Sequence, residues 1–188
     1  STSWNRKLGV ILMKYKDELI RSMKWLADKD DTIFIGQSVL HSGNAIYNTL
    51  KDIDEEKRIE VPVFEEVQMG MSTGMALNGI VPICCFPRFD FMLRCMDSLV
   101  NHLDKMQTMT EGTFKPKVIM RTSIGSTNPL DGGVQHTQDY TMSFKSMLHE
   151  VDVVLLEEPD NIFTEFQSAY NGDRSTLLVE YGDFYNEK

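Results

Sequence analysis

The stretch RIEVPVFEEVQMGMSTGMALNGIVPICCF, residues 58–86, reads as strand, helix, strand, and its reading decides the fold class. Its ends, Arg58 to Val61 and Val81 to Phe86, are short β-rich runs, and the segment between, about Glu65 to Asn78, opens with two acids and has the length of a helix. The alternation continues outward in both directions. Before it come a helix from Lys14 to Ala27, with Ile20, Met23 and Leu26 at helical spacing, a strand Thr32 to Gly36 and a short helix near Ala45 to Leu50. After it come a long helix with Met92, Cys95, Met96, Leu99, Leu103 and Met106 on one stripe, and a strand Lys117 to Arg121. A helix near Tyr140 to Leu148, a strand Asp152 to Leu156, a helix Asp160 to Tyr170 and a strand Thr176 to Tyr181 close the chain. Such alternation implies an α/β fold, a mostly parallel sheet with helices on both faces.

With 188 residues and no internal repeat or linker, residues 1–188 read as a single domain, residues 1–13 forming a possible N-terminal arm. A net charge of −9 without clustered Lys or Arg argues against nucleic acid as a partner. The longest apolar run, Gly79 to Phe86, is far short of the roughly 20 residues that cross a bilayer, and no basic-then-apolar leader opens the chain, so no membrane association and a cytoplasmic location are expected. Cys84, Cys85 and Cys95 read as buried thiols of a reducing compartment, the adjacent pair pointing to opposite faces of a strand. His41, His102, His136 and His149 show no metal-ligand spacing with each other or with the cysteines.

Three places can carry chemistry. Glu65 and Glu66 open a helix, where its dipole favours acids with no function needed. Gly70 and Gly74 in that helix would let another backbone approach, in this domain or another. The irregular stretch Thr122 to Gln138, with Gly125, Pro129, Gly132 and Gly133, is long enough to be functional, and it holds His136, which could equally be an exposed loop side chain. Phe91 taken alone could be a core residue. His102 and His149 fall on helices and have no assigned role, and the sequence does not place the side chain of His41.

Several ordered motifs carry a resemblance over most of the chain. They are Gly36-Gln-Ser-Val39, Pro62-Val-Phe-Glu65 leading into the Gly70 and Gly74 helix, Val81 to Phe91, Met96 to Asn101, Lys105 to Gly112 and Gly132 to Gln138. In this order and spacing the chain resembles the pyrimidine-binding domain of the transketolase-like thiamine-diphosphate enzymes, most of all the beta subunit of pyruvate and branched-chain 2-oxo acid dehydrogenases. The resemblance implies that Glu65 bonds the ring nitrogen of the cofactor's aminopyrimidine and drives it to the imino tautomer. A water-poor pocket that raises the acid's proton affinity would suit that exchange. It also implies that Val63 and Phe91 wall the pyrimidine pocket and that His136 faces the reactive thiazolium and substrate.

The sequence departs from that pattern in informative ways. The Gly-Asp-Gly motif that holds magnesium on the diphosphate is absent; Gly172-Asp-Arg174 lacks the second Gly. The resemblance therefore implies a partner chain, an alpha-like subunit that binds the diphosphate and magnesium, in a two-plus-two assembly. The reading expects no further C-terminal transketolase-type domain of the kind such beta subunits carry. Gln37 stands where relatives carry an acid, and Arg88 and Phe89 replace other residues beside the expected pocket. The expectation is an enzyme subunit, active only with its partner, that decarboxylates a small-molecule 2-oxo acid. Half of a split transketolase-like enzyme, a non-catalytic scaffold and a flavodoxin-like small-ligand binder are the alternatives.

Overall fold

The computed structural model describes residues 14–186, so the expected arm at residues 1–13 lies outside the described residues. Six strands, β1 (Thr32–Gly36), β2 (Arg58–Glu60), β3 (Val81–Cys85), β4 (Ile119–Ile124), β5 (Val151–Leu155) and β6 (Ser175–Tyr181), form one sheet in the order β2-β1-β3-β4-β6-β5. Every pairing is parallel. The helices are α1 (Tyr15–Ala27), α2 (Tyr47–Leu50), α3 (Glu65–Leu77), α4 (Phe89–Met92), α5 (Met106–Met109), α6 (Thr141–Met147) and α7 (Pro159–Asn171). None among the described residues is long and apolar enough to cross a membrane.

Period-two alternation sorts the strand side chains into two cores. Phe34, Ile83, Cys85, Ile119 and Leu178 pack on one face beneath α1 and α7, through Leu19, Met23, Leu26, Ile162 and Phe166. Their neighbours Ile35, Cys84, Met120, Leu177 and Val179 pack on the other, with Met69 of α3, Phe89 and Met92 of α4 and Phe144 of α6. Full burial of each large apolar side chain is worth roughly 1.5–3 kcal/mol, so both helical layers are held by the sheet rather than by helix propensity. Gly36 marks the tightest approach between strands: a Cβ there would lie 2.2 Å from the Cys85 carbonyl oxygen.

Cys84 and Cys85 point to opposite faces as the alternation requires, and all three cysteines are free and buried. Burial pushes the Cys84 thiol up to about 11 and the Cys85 thiol up to about 12. Cys95 is raised further, by burial and then by the charges of Cys84, Glu66 and Glu65. A rise from the ordinary thiol value to that of Cys84 lowers the thiolate fraction by about 10². In the folded protein at pH 8, Ellman's reagent should therefore modify the three cysteines at least a hundredfold more slowly than after unfolding in denaturant.

The long helix expected from Met92 to Met106 is instead a series of short turns. A 3-10 turn at Leu93–Cys95, a π segment at Asp97–His102 and a second 3-10 turn at Leu103–Lys105 separate α4 from α5. Met92, Cys95, Leu99 and Leu103 of the apolar stripe are still buried, and Met96 is partly so. A regular helix is broken because Asp104 is drawn inward, where one carboxylate oxygen accepts the backbone N–H groups of His149, Glu150 and Val151 at the start of β5. Burial alone would raise the Asp104 pKa, but Lys105 and those N–H donors outweigh it and hold it below the ordinary value. The stability it adds is present above the unfolded carboxylate pKa and is lost as pH falls through the lower folded one. Asp104→Asn should therefore flatten the fall of the urea midpoint between about pH 5 and 3.

The other difference is in β4, which runs to Ile124, three residues into the stretch read as loop. Thr122 and Ser123 are buried there, paired with Val179 and Glu180 of β6.

Candidate active site

β1 is the point where the strand order turns: β2 lies on one side of it and β3 on the other. Ligands of open parallel sheets bind outside the carboxyl ends of the strands at such a point. The segments leaving β1, β2, β3 and β4 there carry Gln37 and His41, Val63 and Glu65, Arg88 and Phe91, and the loop with His136.

Glu65 is the first residue of α3 and is 5 % exposed. Among the described residues its hydrogen-bonding side chain is Gln37, whose Nε2 donates to Glu65 Oε1 at 3.2 Å. Glu66, beside it, is exposed and accepts from the Ser98 N–H and hydroxyl. Around Glu65 lies a depression of about 130 Å³ lined also by Val63, Phe64, Val67 and Arg94. Val63 is 72 % and Phe64 57 % exposed, so a nearly buried acid is bordered by open apolar surface. That combination fits an aminopyrimidine, which needs one acid at a ring nitrogen and apolar walls, provided the remaining wall comes from elsewhere.

Phe91 and His136 form a second pair, ring centroids 5.7 Å apart and edge to face. His136 Nδ1 lies 2.8 Å from the Gly132 carbonyl oxygen. A carbonyl only accepts, so Nδ1 carries the proton and Nε2 is the free basic atom of the neutral ring. The loop around it is held at several points. Arg88 Nη1 donates to the carbonyls of both Gly125 and His136 at 2.9 Å, Gln138 donates to Asp90 at 2.9 Å, and Asp183 accepts the N–H groups of Thr127 and Asn128. Charge-assisted hydrogen bonds are worth about 1.5–3 kcal/mol each in place. Arg88→Met should accordingly raise amide exchange across residues 125–138 at least tenfold, read by mass spectrometry, while β3 and β4 keep their protection.

Sequence reasoning placed Arg88 and Phe89 beside the pocket. Arg88 is at the site edge as the clasp of the His136 loop, whereas Phe89 is fully buried against Tyr140 and Phe144, because it faces the sheet from the first turn of α4. The near-match Gly172-Asp-Arg174 lies between α7 and the amino end of β6, the sheet edge opposite the candidate site, with Arg174 paired to Asp152 and Glu150. Gly70 and Gly74 have nothing within 4 Å of where a Cβ would stand, so packing within the described chain does not explain them. Their helix face is open, with Val67 and Met71 also exposed.

Two contributors escaped the sequence reading. Gln37 was legible only as a departure from a pattern, not as the partner of Glu65. Glu60, the last residue of β2, gave no sequence signal, yet its carboxylate accepts the backbone N–H groups of Ser38, Val39, Leu40 and His41 at 2.6 to 3.4 Å.

Residues 17–182 match the family model described as "Transketolase, pyrimidine binding domain". Similar curated proteins include the mitochondrial pyruvate dehydrogenase E1 component subunit beta of Ascaris suum, 29 % identical over 96 % of this chain and 50 % of that protein. The corresponding subunit of Saccharomyces cerevisiae is 28 % identical over 72 % of this chain and 37 % of that one. The chain thus spans half or less of the length of these relatives. Among solved structures, a split gene transketolase described as an inactive beta4 tetramer superposes with a TM-score of 0.70 at 12 % identity, covering 90 % of this chain and 52 % of that chain. A Campylobacter jejuni transketolase gives 0.69 at 16 %, covering 89 % and 25 %. At such identities these two speak for the fold, and the family match over nearly the whole described chain decides membership: this chain belongs to the transketolase pyrimidine-binding domain family.

Proposed function

We propose that this chain is the pyrimidine-binding, beta-like subunit of a thiamine-diphosphate-dependent 2-oxo acid dehydrogenase or decarboxylase, and that Glu65 is its cofactor-activating acid. The observation that carries the reading is Glu65 itself, nearly buried at the carboxyl edge of the sheet and bordered by the exposed apolar side chains of Val63 and Phe64. Thiamine diphosphate, when bound, supplies the electron sink for decarboxylation. The chain's own residues bind, orient and move protons. Glu65 exchanges a proton with the aminopyrimidine ring nitrogen, and its near-burial keeps water from competing. Val63 and Phe91 give the pyrimidine its apolar walls. His136, its ring fixed by Gly132 and by the edge of Phe91, presents Nε2 for proton transfer near the substrate.

The diphosphate and its magnesium belong, on this reading, to an alpha-like partner chain in a two-plus-two assembly. In support, the one near-match to a magnesium motif lies at the far edge of the sheet. The open face of α3, with Val67, Gly70, Met71 and Gly74, is apolar and suits a closely packed partner. The test is a substrate screen of the co-purified complex with an artificial electron acceptor. Turnover of 2-oxo acids with release of carbon dioxide is expected. Transfer of two-carbon units between sugar phosphates, with 2-oxo acids inert, would overturn the substrate class and favour a split transketolase.

A further inference from the structure

One residue holds both members of the Phe91 and His136 pair. Arg88 follows β3 in extended conformation, φ −147° and ψ 145°, immediately before α4, and its carbonyl oxygen accepts the Phe91 N–H at 3.1 Å. Its guanidinium reaches the other way, where Nη1 donates to the Gly125 and His136 carbonyls, each at 2.9 Å. Among the described residues Arg88 supplies the side chain that bonds the His136 main chain. Gly132 leaves room for it: a Cβ there would lie 3.2 Å from Arg88 Nη1 and 2.8 Å from His136 Cβ. The turn that carries Arg88 is tied down on either side. Ser123 of β4 donates to the Pro87 carbonyl at 3.0 Å, and Asp90 accepts from Gln138 at 2.9 Å.

The aim of His136 Nε2 follows from these contacts. The Gly132 carbonyl, 2.8 Å from Nδ1, fixes one side of the ring, and Phe91, at an interplanar angle of 88°, limits its rotation. Both constraints work only while the main chains at residues 91, 132 and 136 keep their separation. We propose that Arg88 is a positioning residue, aiming His136 Nε2 by fixing the main chains of Phe91 and His136 to one another. That this aim governs turnover rests on the reading of His136 as the proton-transfer group near the substrate. Misplacing a reacting group by about 1 Å can cost about 10²-fold in rate.

The test uses the complex purified with its partner and loaded with thiamine diphosphate and magnesium. Arg88→Met, which keeps the stem and removes the donors, should lower kcat about tenfold or more, with KM changed less than about twofold. In a His136→Gln background the same substitution should lower kcat by less than about twofold further, because residues that act as a unit are not additive. A merely structural role for Arg88 would cost as much in either background. Position is read separately by NMR with ¹³C-labelled histidine, the His136 signal identified by its loss in His136→Gln. At about pH 8.5, where an ordinary imidazole is neutral, Arg88→Met and Gly132→Ala should each move this signal in the direction that Phe91→Leu does, as the two rings part. A signal unmoved in both variants overturns the proposal, and so does a loss of kcat undiminished in the His136→Gln background. A moved signal with full turnover in His136→Gln keeps Arg88 as the residue that places the ring and removes only the proton-transfer role of His136.

Discussion

Glu65→Gln is expected to lower turnover of the assembled enzyme by about 10²–10⁴-fold, the range over which positioned acid–base groups contribute, with little change in assembly. The substitution keeps the size and polarity of the side chain. Its amide can still bond the Gln37 amide, so the first turn of α3 and the 3.2 Å contact need not rearrange. What disappears is the nearly buried carboxyl of the depression, the acid placed to pass a proton to a ring nitrogen between apolar walls, while Glu66 beside it stays exposed and bonded to Ser98. Steady-state rates together with size-exclusion profiles check the prediction. Retained turnover in an intact complex would remove Glu65 from the mechanism.

Arg121→Leu is expected to cost about 3–5 kcal/mol of stability, the usual penalty for leaving one member of a buried ion pair alone. Arg121 of β4 and Glu180 of β6 are both 0 % exposed, and they meet through two parallel bonds of 2.7 and 2.9 Å. Thr49 of α2 takes a third guanidinium proton at 2.9 Å, and Tyr185 bonds Glu180. Burial opposes the charge on Arg121, but Glu180 outweighs it and holds the guanidinium pKa above its ordinary value. Burial, and then Glu180, likewise raise the Tyr185 hydroxyl. Removing the cation strands Glu180 in a dry core. For a chain of this size each kcal/mol shifts Tm by about 2–4 °C, so a fall of roughly 10 °C is expected, read by calorimetry. The double variant Arg121→Leu with Glu180→Leu should regain a large part of it, since no unpaired charge remains. A single-variant loss below about 1 kcal/mol would contradict this account of the network.

The fold was legible because short β-rich runs alternate with helical lengths, and because the inner strands β1, β3, β4 and β6 are buried along nearly their whole length. The break after α4 was not legible: the stripe from Met92 to Leu103 is helical in period, and only the three-dimensional capture of β5 by Asp104 says why regular winding stops. The extension of β4 was missed because Thr122 and Ser123 look like turn residues until their burial is known. In the site, Glu65, Phe91, Val63 and His136 were named by motif, while their arrangement as two pairs was not. Arg88, Glu60 and Gln37 act through main-chain groups or through one another, and such contacts between distant segments leave no periodic trace.

The central claim is that this chain supplies half of a shared cofactor site, and calorimetric titration tests it most directly. The chain purified with its partner, and the chain alone, are each titrated with thiamine diphosphate and magnesium. The account predicts stoichiometric binding by the complex and none by the chain alone. Binding of both cofactor and metal by the isolated chain would contradict the shared site, and a stable complex that binds neither would contradict the assignment as a catalytic subunit.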